Sequence, residues 1–550
     1  MKPSCSEELV PTPATAAWPR RDGDHLLVTS AEMAALEEQL FHSGMPVAAL
    51  MEKAALALSR RLLQRHGDHL ARHGALVLVG PGHNGGDGLV IARELHLASV
   101  ATTIWSPFER HKPLTEAHLR HCLWLGIERL TQAPDPCGSE LWIDALLGIG
   151  QQRPPGEGIR VLLEARQRQR PGALVAVDVP TGLCADSGRA TGPMRPQAVT
   201  TYTIGLIKRG LVQDQALAAV GELERIDLGL PGALLHALPN QTPRGLGERD
   251  LAERPRPPLD PAASKYQRGR LLLVAGSEAF RGAASLALAG ASSSGCGSLQ
   301  AALPACLAAD LWQQYPHVVL DQSLPCDGQG NLRLDRPIEL NRQRLDALLV
   351  GPGIGQGIGP CIGPDAESQE GAFWRNLLAW RGLLVLDADG LNRLSGPAIL
   401  GLGLNACAWL QQRQGPTWIT PHPGEFSRLF PELSGNPAPV CLDAAGEAAR
   451  ISGACVLLKG ARSVVAAPDG RRWQLLEASP SSARAGLGDV LAGHVAGVGA
   501  MAMAATGAAD AVWLAAATLA HAQAGRQLSP AGQNGAANPL AVAQQLARLC

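Results

Sequence analysis

The 550-residue chain has almost no net charge, with 48 Lys plus Arg against 49 Asp plus Glu. A basic excess is the electrostatic footprint of nucleic-acid or anionic-membrane binding, so the balance removes the case for either partner. Its 12 cysteines form no C-x-x-C pair, and the first two dozen residues hold no apolar leader run. Disulfide scaffolding and thiol redox chemistry are therefore set aside, and a reduced, cytoplasmic chain is expected. No His/Cys cluster has zinc-ligand spacing. Aromatics are scarce at 4%. The most membrane-like stretch, VAGVGAMAMAATGAA at 495–509, falls short of the roughly 18 apolar residues that span a bilayer. Asp489 and His494 precede it and Asp510 follows, so it reads as a buried core helix.

Glycine, by contrast, is abundant (62 residues), and apolar residues make up 46%. At roughly 150 residues per domain the length suggests two to four domains. Residues 1–25 are Pro-, Ser- and Thr-rich and read as a flexible tail. From 26 to 237 helical and strand-like runs alternate. SAEMAALEEQL opens a helix with Ser30 as candidate N-cap, and MPVAALMEKAALALSRRLL (45–63) is a second amphipathic helix. The runs ALVLVG (75–80), VATTIW (100–105), LWIDALLG (141–148), LVAVDVP (174–180) and TTYTIG (200–205) follow. Short apolar runs separated by helices argue a parallel sheet covered on both faces, with ligands beyond the strand carboxyl ends. The Pro- and charge-rich stretch 238–262 is expected as a linker. A second α/β pattern fills 263–550, through GRLLLVAG (269–276), LDALLVGPGIG (345–355), GLLVLDADGLN (382–392), TWITPHPGE (417–425) and CVLLKGARSVVAA (455–467). The halves are not repeats of each other.

Three strand ends of the first half carry candidate chemistry. PGHNGGDGLV (81–90) supplies glycines that let backbone N–H groups approach phosphate oxygens, ahead of a helix N-terminus that favours anions. Gly80, Gly82 and Gly85 spell the nominal dinucleotide fingerprint, but the acidic residue that would grip a ribose about 20 positions on is missing, with Glu109 only a late candidate. Asp87 inside the loop is left unexplained by that register. IDALLGIGQQRPPG (143–156) places Asp144 at a strand end, and VDVPTGLCADSG (177–188) does the same for Asp178, with Thr181 close behind. Each Asp alone is as readily a cap or turn former. Asn84, Asp144 and Thr181 are hard oxygen donors suited to an alkali or alkaline-earth cation. Lys208 in IGLIKRGL can pair with a phosphate or a carboxylate, although a lone Lys is more often a solvated charge.

In the second half, GPGIG (351–355) suits backbone contact with a ligand, and DADGLN (387–392) puts Asp387 and Asp389 at a strand end. Glu425 in ITPHPGEFSRL (419–429) can cap a helix. LLKGARSVV (457–465) reads strand, tight turn, strand, with Lys459 and Gly460 placed to meet a phosphate. AGLGDVLAG (485–493) sets Asp489 at the mouth of an apolar helix. There it is either a plain N-cap or a base that accepts a proton from a hydroxyl attacking a phosphoryl group. No G-K-[ST] follows, so this is not a Walker A loop.

HNGGDGLVIAREL, IDALLGIG, VDVPTG and IGLIKRGL together resemble the epimerase domain of the bifunctional NAD(P)H-hydrate repair enzymes. His83 and Lys53 stand where that family commonly has Asn. VAGSEAFRGAASLALAGASSSGCGSL (274–299), GPGIG, DADGLN, TPHPGEFSRL, LLKGA and GLGDVLAG resemble, in order, the ribokinase-like ADP/ATP-dependent NAD(P)H-hydrate dehydratases. Arg281 and Arg484 are the departures there. The resemblance spans about residues 26 to 525. It implies a Rossmann-like three-layer parallel-sheet domain followed by a ribokinase-like α/β domain, acting on NADH and NADPH hydrates. In the first domain it implies proton transfer by Asp178 assisted by Lys208, and K+ on Asn84, Asp144 and Thr181. The nucleotide would be held by His83, Asn84, Gly85, Gly86 and Asp87, by Gly148, Ile149, Gly150, Gln151, Gln152, Arg153 and Pro154, and by Asp178. In the second it implies Asp489 as base. Lys459, Gly460, Ala461, Arg462, Ser463 and Gly488 would hold the phosphates of ADP or ATP with Mg2+, and Ala283, Gly353 and His422 would hold the hydrate together with Asp489. A homo-oligomer is expected. Competing expectations are a small-molecule kinase with an accessory domain, a dehydrogenase (disfavoured by the missing ribose carboxylate) and a non-catalytic nucleotide sensor.

Overall fold

The structure, a computed structural model, describes residues 18–549 apart from 195, 335–343, 357–363, 397–398, 400–401, 436–439 and 530–536. Contacts divide the chain into two compact units, Arg21–Gly245 and, with the segment ending at Arg20, Leu246–Cys550.

Seven strands form the sheet of the first unit, in the order Glu128–Leu130, Thr102–Trp105, Ala75–Val79, Leu141–Ala145, Leu174–Val177, Thr200–Ile204, Glu222–Ile226, and every pair is parallel. Alternation along a strand sends successive side chains to opposite faces. Val77 and Val79 accordingly pack with the helices Ser30–His42, Val47–His73 and His83–Leu97, and Leu76 and Leu78 pack on Ile159, Leu162 and Leu163 of Glu157–Gln169. A sheet buried on both faces explains why its strands read as unbroken apolar runs. From Ala75–Val79 the chain adds strands first to one side, then crosses and continues with Leu141–Ala145 on the other. The topological switch point lies between these two strands, and a crevice opens beyond their carboxyl ends.

The glycines of the 81–90 motif serve this packing. A Cβ on Gly80 would sit 1.6 Å from the Leu146 carbonyl oxygen, on Gly85 2.0 Å from that of Gly80, and on Gly88 2.5 Å from the Ala145 Cβ. Only bare backbone lets the helix His83–Leu97 start so close to the sheet.

Local details differ from the sequence reading. Ser30 is the first helical residue and Thr29 is the N-cap, its hydroxyl accepting from Glu32 N–H while Glu32 caps Thr29 in return. A reciprocal capping box satisfies two orphan donors at once, which a cap at Ser30 would not. The second helix runs on to His73 because Leu70 is still buried there, and ends at Gly74 with φ 76°. Within 238–262 the chain forms a short strand, Arg244–Leu246, and a 3-10 turn, Glu248–Asp250. The Leu246 carbonyl accepts from Leu476 N–H at 2.9 Å. The prolines of that stretch fall outside both pieces. Residues 1–17 of the expected tail lie outside the described residues, and Trp18 and His25 are buried.

The second unit repeats the doubly wound logic on a different sheet. Its parallel strands run Cys455–Leu458, Thr417–Ile419, Leu383–Leu386, Ala347–Val350, Arg270–Val274, Ser298–Pro304, Val319–Leu324. The hairpin partner Val464–Ala466 and Arg472–Leu475 extend the Cys455 edge antiparallel. Here the switch point lies between Arg270–Val274 and Ala347–Val350. The apolar stretch belongs to a 20-residue helix, Leu487–Thr506, long and apolar enough to cross a membrane but with 78% of that window buried inside the protein. It lies against Arg281–Ser292 through glycines. A Cβ on Gly493 would meet the Ala287 carbonyl oxygen at 1.9 Å, and on Gly290 the Val490 carbonyl oxygen at 2.0 Å.

Because the clash at Gly493 is with backbone, side-chain rotation cannot relieve it. Gly493→Ala is expected to destabilise the second unit by about 1–3 kcal/mol. Calorimetry on the full chain should show one transition lowered and the other unmoved.

Candidate active sites

In the first unit a cavity of about 730 Å³ opens at the switch point, walled by 81–84 and Asp87, by 146–156, and by Glu37, Phe108, Lys112, Asp178 and Ile204. Asp178 directly follows Leu174–Val177 and holds φ at 65°, a conformation uncommon for a residue with a side chain. This bend, fixed by Asp178 N–H donating to Tyr202 O at 2.8 Å, points the carboxylate into the crevice. Asp178 Oδ1 accepts from Lys208 Nζ and from Ile204 N–H at 3.1 Å. Lys208, only 1% exposed, also donates to Ile204 O at 2.6 Å. An ammonium so deeply buried requires the carboxylate beside it.

His83, Asn84, Asp87, Gly148, Ile149, Gly150, Gln151, Gln152, Arg153, Pro154 and Asp178 all line this cavity. A Cβ on Gly148 would sit 3.3 Å from Asn84 Cβ and 3.6 Å from Asp178 Oδ2, so the three strand ends do converge. Gly85 and Gly86 are buried behind the wall instead, where a Cβ would meet the Gly80 carbonyl oxygen at 2.0 Å and the Met51 side chain at 2.6 Å respectively. Gln151 is buried and ties the loop down, donating to Pro180 O (3.1 Å) and accepting from Gly182 N–H (2.7 Å).

Asp144 and Thr181 sit behind the same loops. Asp144 accepts from the Thr181 hydroxyl (2.8 Å), Thr181 N–H (2.9 Å) and Leu146 N–H (3.2 Å), while the Thr181 oxygen accepts from Leu147 N–H (3.2 Å). Burial raises the Asp144 carboxyl above its ordinary pKa despite these bonds. The Asn84 amide nitrogen is buried with no hydrogen-bond partner.

Sequence reasoning missed Glu37. The signal was a charged residue four positions after Met33 and three before Leu40, both buried, on the inward side of Ser30–His42. Burial raises the Glu37 pKa, with Asp178 adding to the shift and Lys208 opposing it. Burial, then Asp178 and Glu37, raise Asp87 well above its ordinary value against the pull of Lys208. Burial, with Lys112 nearby, lowers His83.

The second unit gathers its ionisable groups the same way, at successive strand ends. Asp387 follows Leu383–Leu386, is 1% exposed, and accepts from Thr420 Oγ1 (2.6 Å) and Lys459 Nζ (2.7 Å). Lys459 lies 3.9 Å from Glu425 Oε2. Burial pulls the Lys459 pKa down, but Asp387, Glu425 and Asp489 together leave it raised. Asp489 sits in the first turn of Leu487–Thr506, whose N-cap is Gly486 at φ 90°. It is thus not the N-cap. Burial, then Asp387 and Asp389, lift it to about 7 against the pull of Lys459. A Cβ on Gly488 would be 3.8 Å from Lys459 Nζ, which places these motifs together.

Gly353 (φ 64°) abuts Ala283, whose Cβ lies 2.6 Å from where a Cβ on Gly353 would stand. His422 uses Nδ1 to accept Gly424 N–H at 2.9 Å while its Nε2 lies 3.2 Å from Glu425 Oε1, leaving the ring half exposed. Gly460 and Ala461 are exposed on the hairpin turn, Ser463 closes it through Gly460 N–H (3.3 Å), and Arg462 is buried. Asp387, Thr420 and Glu425 are the residues to which sequence reasoning gave no site role. Only the parallel strand order brings their carboxyl ends side by side.

Two doubly wound α/β units, each with a Lys–Asp pair at its strand ends beside a further carboxyl, define a two-site enzyme acting on small molecules. The family model described as NAD(P)H-hydrate dehydratase matches residues 271–548, and that of the YjeF-related protein N-terminus matches 47–210. The bifunctional NAD(P)H-hydrate repair enzyme Nnr of Gloeobacter violaceus is 40% identical over 85% of this chain and 87% of its own length. The enzyme of the same name from Synechocystis is 38% identical over 86% and 85%. The crystal structure of the ADP/ATP-dependent NAD(P)H-hydrate dehydratase from Bacillus subtilis aligns with 55% of this chain and 95% of its own at 23% identity, TM-score 0.40. The chain belongs to the bifunctional NAD(P)H-hydrate repair enzyme family.

Each buried pair is expected to cost more when half broken than when removed entire. Lys208→Met should destabilise the first unit by about 3–5 kcal/mol, because it strands the Asp178 charge. Adding Asp178→Asn should recover most of that loss in urea unfolding at neutral pH, and strict additivity of the two losses would contradict the pairing.

Proposed function

We propose that the chain repairs hydrated NADH and NADPH, epimerising the R and S hydrates in its first unit and dehydrating the S hydrate in its second at the expense of ADP or ATP. The observation that carries the reading is Asp489. It is a carboxyl lifted to about 7, beside the half-buried Lys459 ammonium, at the start of a 20-residue helix. A general base works best when its pKa lies near the operating pH. Asp489 would take the proton of the ring hydroxyl as that oxygen attacks the terminal phosphoryl group. The helix N-terminus and Lys459 would stabilise the charge that develops. Phosphate leaves far more readily than hydroxide, so elimination then restores the dihydronicotinamide ring. Gly460, Ala461, Arg462, Ser463 and Gly488 would face the donor, and Ala283, Gly353 and His422 the hydrate. Among the described residues no group of three or more His, Cys, Asp or Glu is placed to hold a metal. Mg2+ would accordingly arrive with the donor's phosphates, as this ion commonly does.

In the first unit the cavity would hold the hydrate, with Asp178 as the proton-transfer group and Lys208 as the hydrogen-bond donor that positions it. The residues fit potassium. Asp144 is a buried carboxylate held by the uncharged donors of Thr181 and Leu146, and the unsatisfied Asn84 amide can turn its oxygen toward a cation. With Thr181 these are the hard oxygens a potassium ion takes. Bound there, it would supply fixed positive charge that orders the 146–151 and 178–182 loops.

Starting from the S hydrate, ADP or ATP, and Mg2+, dihydronicotinamide absorbance should return. Asp489→Asn should slow this by about 10²–10⁴-fold, with R-to-S conversion retained. Because the base must be deprotonated, kcat/KM should climb with pH and level off above about 7. A flat profile, or an unaffected Asp489→Asn, overturns the assignment. For the cation site, KCl but not LiCl should raise the melting temperature of the first unit, and Asp144→Asn should remove the difference.

A further inference from the structure

The first cavity holds more acid than a single proton-transfer residue requires. Glu37, Asp87 and Asp178 all line it. Asp178 is held by Lys208 and by Ile204 N–H. No hydrogen bond or ion pair engages Glu37 or Asp87 among the described residues. Burial favours the protonated form of a carboxyl that has no paired counter-charge, and it raises both Glu37 and Asp87. One wall of the cavity thus carries a carboxylate paired with the Lys208 ammonium, and another carries two carboxyls without such a partner. Environments that differ in this way separate base from acid.

The chemistry of the substrate calls for that division. A dihydronicotinamide ring is an enamine, protonated at its β-carbon and hydrated at the carbon bonded to nitrogen. The hydrate is therefore a carbinolamine, and its stereocentre inverts if the C–O bond breaks and re-forms on the other face. We propose that Glu37 is the acid of the epimerase and Asp178 its base; this rests on the repair reading of the first unit. The nitrogen lone pair expels the hydroxyl, which takes the proton of Glu37 and leaves as water, and the ring becomes an iminium. A water molecule then adds to the opposite face, and its proton passes to Asp178. The enzyme emerges with Glu37 ionised and Asp178 protonated, the form that runs the reverse direction, and proton exchange with solvent restores the first form. No oxidant, reductant or phosphoryl donor is consumed. The charged groups facing Glu37 and Asp87 are Asp178 and Lys208, with His83, Lys112 and Arg153 on the loop side of the cavity.

The test uses the full chain and pure R hydrate without phosphoryl donor, and follows the two epimers by chromatography in water enriched in oxygen-18. Wild type is expected to place one solvent oxygen in each inverted molecule. Glu37→Gln should lower kcat by about 100-fold or more with KM within a few-fold. It should also lose the falling alkaline limb of the pH profile, and Glu37→Asp should restore part of the rate. Inversion without solvent oxygen, or Glu37→Gln turning over within threefold of wild type with an unchanged pH profile, overturns the proposal. Wild type that leaves R hydrate unchanged overturns the repair reading itself, a result distinct from both. A matched melting temperature shows that Glu37→Gln is folded.

Discussion

Burying an ammonium against a carboxylate at the carboxyl end of a parallel strand is the constraint on which both sites depend. Neither charge tolerates the interior alone, so Lys208 fixes where Asp178 must be and Lys459 does the same for Asp387. Once each pair is made, the carboxyls left beside it, Glu37 and Asp87 in one unit and Asp489 in the other, have burial without a full counter-charge. Their affinity for protons rises for that reason. The pair is both a structural rivet and the electrostatic reference that gives its neighbours their chemistry.

Glycine supplies the second constraint. In the first unit Gly80, Gly85 and Gly88 bring a helix onto the sheet beside the switch point, and in the second Gly290 and Gly493 bring Leu487–Thr506 onto Arg281–Ser292. At Gly80, Gly85, Gly290 and Gly493 backbone oxygens occupy the space a side chain would need, and at Gly88 the Ala145 Cβ does. The close approach positions Asn84 and Asp87 in one unit and Asp489 in the other. A motif that reads as a phosphate cradle is therefore first a packing device, with Gly82, His83 and Asn84 left to face the cavity.

Much of this was legible in the chain. Apolar runs spaced by helices announced two parallel sheets, because strands buried on both faces have no polar side. Asp144, Asp178, Asp387 and Asp489 stood out because each closes an apolar run or opens an apolar helix. The cap at Thr29 and the full reach of Val47–His73 were less legible, since both turn on contacts several residues beyond the local pattern. Glu37 was hidden for a plainer reason: one Glu among three in an amphipathic helix looks like solvent-facing charge until the helix is docked.

The sequence by itself determined the fold class, the family and the identity of the strand-end acids, because periodicity and motif order are local properties of the chain. Only the tertiary structure decided which groups share a dielectric environment. The pairing of Lys208 with Asp178, the gathering of Asp387, Glu425 and Lys459, and the meeting of Glu37 and Asp87 on one cavity all join residues far apart in the chain. Charge interactions depend on distance and burial in space, and neither is written in sequence separation.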